Sequence, residues 1–229
     1  MKLYYAAFYA GHALIRLCGE GCSYFGRQHT TRLLSISDAL GMSPLFKIEA
    51  GLYRCVVTNS GTALTCVRAH SSAGGAHQIF WMLFGNYLKK AAEGALRSNM
   101  TRADAQAAFV QFDQLLTILS RGAGYSWLSI VRNDLQYRLQ HGVWHPERLR
   151  TPALRGLSSL AGQWKRDPMS IDFANCKFGL LGEFVCCCVF VIALCREILW
   201  RIAERSSVGA RSFARTGPMV LLNDIGVTP

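Results

Sequence analysis

The sequence lacks most residue groupings that carry hydrolytic or metal chemistry. It has no Cys-x-x-Cys pair, no His-Glu-x-x-His, no Walker loop, no Ser-His-Asp order and no cluster of acidic metal ligands. Zinc chemistry, nucleotide hydrolysis and two-metal nuclease chemistry are therefore not expected, and neither a metal nor a cofactor is called for. Charge is scarce at 17% of residues, and acidic charge scarcer still: 14 Asp and Glu stand against 25 Lys and Arg. The resulting excess of +11 contains no run of five or more basic residues, so it is spread along the chain. Such an excess favours polyanions, chiefly nucleic acid and sometimes acidic membrane surfaces. What is abundant is apolar: 51% of the 229 residues are hydrophobic. That suffices for one large packed domain and argues against global disorder.

Nine cysteines are present, an odd number, and Cys186, Cys187 and Cys188 are consecutive within an apolar run. On a helix, three consecutive thiols point in three directions and cannot share one metal. The pattern predicts reduced, buried thiols in a cytoplasmic protein rather than a disulfide framework.

Periodicity divides the chain into mostly helical elements. Residues 3–17 form an amphipathic helix without an N-cap residue, in which Gly11, His12 and Arg16 argue against a signal peptide. Residues 31–40 suit a short helix, stopped by Gly41 to Pro44. Residues 45–68 change character. Two β-rich runs, 52–57 and 62–67, flank Asn59-Ser60-Gly61 and predict a β-hairpin inserted in a helical scaffold. Residues 69–76 read as a flexible link flanked by His70 and His77, each expected to be solvated. Helices follow over 77–96 and 101–119, the second with Thr101 as N-cap and Asp104 at the matching position. Residues 151–162 give a short helix or turn pair, and 170–204 the longest helix. Its wholly apolar centre, Phe184 to Cys195, is 12 residues long and bracketed by Glu183 and Arg196-Glu197. A membrane span needs about 20 apolar residues, so a buried bundle helix with no membrane contact is expected. The basic segment from Ser206 onward leads to a C-terminal arm, 206–229, in which Val220 to Leu222 dock back as a strand or an arm.

The remaining segment, Gly124 to Pro146, concentrates polar groups on one helix ended by Gly142 and Pro146. Leu128, Val131, Leu135 and Leu139 make its apolar stripe. Arg132, Asn133, Tyr137, Arg138, Gln140, His141 and His145 are its candidates for chemistry.

The opening run, Tyr-Tyr-Ala-Ala-Phe-Tyr-Ala-Gly-His-Ala-Leu-Ile-Arg-Leu-Cys-Gly, resembles the first helix of the HEPN superfamily, and Trp127 to His145 resembles the helix that carries that family's site. The resemblance leaves the middle of the chain uncovered. It implies a mainly α, HEPN-like helical bundle that forms a homodimer. It also implies an RNA-directed function, as a metal-independent endoribonuclease of a defence or toxin–antitoxin system with an antitoxin or other protein partner. A non-catalytic dimerisation or protein-binding module is the alternative the family also contains. An Arg and a His are what cleavage by the ribose 2′-OH requires, the one to stabilise charge on phosphate and the other to move a proton. Arg132-Asn133 stands at the family's Arg-polar position. Eight residues separate Arg132 from His141 and two separate Arg138 from His141, neither being the family's own spacing. At about 100° per residue, Arg132 and His141 lie on opposite sides of one helix, whereas Arg138 and His141 are neighbours. The reading therefore assigns Arg138 and His141 as catalytic. It assigns Arg132, Asn133 and Tyr137 to substrate binding, in a cleft completed across a two-fold axis.

Overall fold

The computed structural model of the chain describes residues 1–42, 48–69, 75–138, 151–174, 176 and 178–227. The fold is mainly α with one small antiparallel sheet. Helix α1 (Lys2–Leu17) is followed by strand β1 (Glu20–Phe25), helix α2 (Arg27–Ala39), and strands β2 (Gly51–Thr58) and β3 (Ala63–Arg68). Helices α3 (Ala76–Leu96), α4 (Arg102–Leu119), α5 (Trp127–Gln136), α6 (Thr151–Ala161) and α7 (Gly179–Arg205) make the body, and short helices α8 (Phe213–Thr216) and α9 (Pro218–Asp224) close the chain.

The core assembles from the helical stripes. Tyr4, Ala7, Leu14 and Ile15 of α1 meet Phe80, Trp81, Phe84 and Leu88 of α3, and both meet Phe184 to Cys195 of α7. α4 adds Phe112, Leu115 and Leu119, and α5 adds Trp127, Leu128, Val131 and Leu135. α4 starts where its cap requires: the Thr101 hydroxyl accepts from the Asp104 backbone N–H at 3.2 Å and donates to its carboxylate at 2.7 Å. Two polar ties fix α4 and the turn that follows it against the rest. Arg121 donates to both oxygens of Glu183 on α7, at 2.6 and 3.2 Å, and Gln111 donates to the carbonyls of Met169 and Ile171.

The sheet runs β1-β2-β3. β2 and β3 pair from Tyr53↔Arg68 to Thr58↔Ala63 across a 3₁₀ turn at Asn59–Gly61. Ser60 and Gly61 hold the positive φ angles of that turn. β1 adds a strand that the sequence left unassigned. Residues 20–25 pair with 51–56, so the hairpin is not a free-standing flap. Glu20 anchors it, accepting from Arg54 at 2.8 Å and from Lys90 of α3 at 3.5 Å.

Four further expectations are corrected. α5 stops at Gln136 instead of running to Gly142, because the Arg138 N–H turns back to the Asn133 carbonyl and Tyr137 leaves the helix. α7 begins at Gly179 rather than Ser170, since Phe178 sits in the left-handed region and breaks the chain's direction. That break folds Cys176 back beside α7, where it forms a disulfide with Cys186. In one continuous helix the two would stand about 15 Å apart. The other cysteines are free thiols, and Cys22, Cys55, Cys187, Cys188 and Cys195 are buried as expected. Val220 to Leu222 lie in helix α9, not in a strand.

α7 spans 27 residues and contains an 18-residue window of mean hydropathy 2.1, long and apolar enough to cross a membrane by length and composition. The 12-residue estimate from sequence stopped too early. Within the fold, 67% of that window is buried against protein, which makes α7 the bundle's central helix.

Candidate anion-binding site around Arg132

Arg132 projects from α5 into the junction with α1 and the start of α3. It is 7% exposed, yet among the described residues no carboxylate is ion-paired with it. Its guanidinium carbon instead lies 5.6 Å from the Tyr4 ring centre, 5.8 Å from Tyr5 and 5.5 Å from Tyr137. Each distance is within cation–π range, where ring faces partly replace lost hydration. One Nη donates to Asn133 Oδ1 at 2.7 Å, and Nε is buried without a hydrogen-bond partner. A buried, permanently charged fork held this way has unspent capacity for an anion.

The groups around it come from helices far apart in sequence. The Tyr4 hydroxyl is 3.0 Å from Trp81 Nε1 and 3.0 Å from His77 Nδ1. The indole can only donate. The assignment that satisfies every group has Trp81 donating to the Tyr4 oxygen while the Tyr4 O–H donates to His77 Nδ1. His77 is then neutral with its proton on Nε2. Burial lowers the His77 pKa and the nearby Arg132 charge lowers it further, which favours that same neutral form. Burial pushes the Tyr4 phenol up to about 12, so it stays protonated. Phe8 and Phe80 wall the cluster, and His12 stacks on Phe80 with ring centres 3.9 Å apart.

Three of the residues picked from sequence meet here: Arg132, Asn133 and Tyr137. Tyr137 is 66% exposed and covers the guanidinium from the solvent side. Arg138 does not join them. It lies beyond the end of α5, is 68% exposed, and donates to Asp134 Oδ1 at 3.1 Å. Arg138 is thus past the end of the helix on which its pairing with His141 rests, and His141, like Gln140 and His145, falls outside the described residues. The sequence reading missed Tyr4, His77 and Trp81, having set His77 down as a solvated flank of a loop. A signal was present: Tyr4, Phe8 and His12 recur at every fourth position on α1, as His77 and Trp81 do on α3, so each helix carries a polar-tipped aromatic stripe.

Among the described residues no group of three or more His, Cys, Asp or Glu is placed to hold a metal. A shallow cleft of about 580 Å³ between α4 and residues 169–172 is lined by Gln106, Gln111, Gln114 and Asp172 without any basic group, so it is not suited to a polyanion. Comparison with protein-family models, with curated proteins and with solved structures finds no match to this chain.

Proposed function

We propose that the chain is an RNA-directed helical protein of HEPN-like type that takes a backbone phosphate at Arg132, with Tyr137 stacking against the adjoining base. The observation that carries this reading is the buried guanidinium itself, boxed by tyrosines, lacking an ion-paired carboxylate among the described residues and keeping an unbonded Nε. An Arg fork matches phosphate geometry, and aromatic rings accept unstacked bases. The net charge of +11 would supply the longer-range attraction. His77 contributes a neutral N–H donor beside that phosphate. This role favours recognition over proton transfer, so the non-catalytic module is the second reading, and a metal-independent nuclease is the version in which His77 exchanges that proton during turnover.

The test is retention of a single-stranded RNA over a salt series, with a parallel cleavage assay in EDTA and a native-mass measurement for the dimer. Arg132→Gln should weaken binding about tenfold or more and lower the salt slope by about one phosphate contact. Because Arg132 is buried, Tyr137→Ala serves as a second probe at an exposed position and should also weaken binding. If the wild-type protein retains no RNA, or both variants bind as it does, the RNA reading is wrong. Binding without cleavage, unchanged by His77→Gln, would leave the non-catalytic module.

A further inference from the structure

The β2–β3 hairpin holds two thiols face to face. Cys55 and Cys66 are direct cross-strand partners, and their sulfurs are 3.4 Å apart. Their place in the ladder follows from a neighbouring bond. The Ala69 N–H donates to the Leu52 carbonyl at 2.8 Å, which makes Leu52 and Ala69 a hydrogen-bonded pair. Such pairs alternate along an antiparallel ladder, so Cys55 and Cys66 form a non-hydrogen-bonded pair. In that position α-carbons approach to about 4.5 Å, inside the range of about 4.4–6.8 Å that disulfides span. On the next strand no side chain stands directly opposite Cys55. Gly21, which has no side chain, stands opposite Cys55 on β1, and Cys22 stands opposite Arg54, so its side chain leaves the other face of the pleat. Cys22 and Leu52 reach the main core, and Cys55 does not.

We propose that Cys55 and Cys66 are a covalent modification site, a thiol pair that closes into a cross-strand disulfide when it meets a low-molecular-weight disulfide such as oxidised glutathione. Access decides the order of steps. Cys66 is exposed on strand β3, and Cys55 is buried. Burial also pushes the Cys55 thiol up to about 11, with its Cys66 neighbour adding to the effect, so Cys55 does not attack first. The Cys66 thiol loses its proton and its sulfur attacks one sulfur of glutathione disulfide. That S–S bond breaks, a mixed disulfide forms on Cys66, and the first glutathione leaves and takes up a proton. Cys55, already within van der Waals reach, then gives up its proton and attacks the Cys66 sulfur, releasing the second glutathione. The protein loses two hydrogen atoms, and one glutathione disulfide becomes two glutathione thiols. The product ties β3 to the strand that joins it to the rest of the sheet.

The sequence makes the site easy to read. Trypsin cuts after Arg54 and Arg68 and nowhere between, so both cysteines lie on a single peptide, residues 55–68. The folded full-length protein is incubated with glutathione disulfide, its remaining thiols are alkylated, and it is digested without reduction. The expected product is a 55–68 peptide lighter by two hydrogens and carrying no alkyl group, which regains two alkylation sites after dithiothreitol. In Cys55→Ser the reaction should stop at a glutathione adduct on Cys66. Three results overturn the proposal: a wild-type peptide alkylated at both positions, a lasting glutathione adduct on wild-type Cys66, or Cys55 joined to Cys22 in place of Cys66. The RNA assay is independent of all of these, because neither thiol touches the Arg132 cluster.

Discussion

His12 shows how a single residue's surroundings set a condition on the fold. Its ring is sandwiched flat on Phe80 and edge-on to Phe8, and its Nδ1 is buried with no hydrogen-bond partner. Burial, aided by the charge of Arg16 and by His77, drives its pKa down from the ordinary 6.5 to about 4. The folded protein therefore holds His12 neutral over a range in which the unfolded chain is protonated. The unfolded state binds more protons there, so stability rises with pH. Conversely, it is lost as pH falls from about 6.5 and levels off near 4. Discounted for partial exposure of the ring, the loss is on the order of 1 kcal/mol. His77, also shifted down, adds to the same limb. His12→Phe keeps the stack and removes the proton. Urea midpoints at pH 7 and pH 5 should differ less in this variant than in the wild type, and an unchanged difference would show that His12 does not control the acid limb.

At the scale of elements, α3 carries two interior glycines that the sequence cannot tell apart. A Cβ on Gly85 would sit 2.4 Å from the Tyr125 ring, whereas one on Gly94 would meet nothing within 4 Å. Helix propensity favours alanine at both positions by about 1 kcal/mol. Gly94→Ala should therefore raise the urea midpoint by up to that amount. Gly85→Ala should lower it, because displacing a packed aromatic ring costs about 1–3 kcal/mol. Adding Tyr125→Ala should relieve most of the Gly85→Ala penalty, and additive losses in the double variant would mean that the ring is not the obstacle. The same distinction separates what the sequence made legible from what it hid. Periodic apolar stripes and the Thr101 cap placed α3 and α4 to within a residue or two, since those signals are local. The pairing of β1 with β2 was hidden because Glu20 to Phe25 finds its partner some thirty residues on. The early end of α5 was hidden for a related reason: nothing in Tyr137 or Arg138 breaks a helix locally, and the turn follows Tyr137 onto the Arg132 guanidinium. Of the candidate site, the α5 half was readable from Arg132, Asn133 and Tyr137. The half supplied by Tyr4, His77 and Trp81 depends on how α1 and α3 cross, which no single stripe encodes.

For the molecule as a whole, the decisive element is α7, whose composition alone is compatible with two environments. Lipid and protein interior both accept Phe184 to Cys195, but they make different demands on the helix's other groups. Arg196 is buried at 7% exposure, donates to the Trp164 and Arg166 carbonyls at 3.3 and 2.9 Å, and lies 5.2 Å from the Trp200 ring centre. At the other end, Glu183 is held by Arg121, just past the end of α4. α1 and α6 lie along the helix between these ties. Moving α7 into a bilayer would strip away α1 with its Tyr4 cluster, leave Arg196 and Glu183 without partners, and expose the apolar faces of the surrounding helices to water. Each uncompensated charge alone would cost several kcal/mol. The protein is accordingly expected in the high-speed supernatant of lysed cells, and any portion that sediments with membranes should be released by alkaline carbonate without detergent. Retention through carbonate, with release only by detergent, would mean that α7 is solvated by lipid. Arg132 would then lose the α1 tyrosines that box it, and the proposed RNA site would be lost together with the bundle.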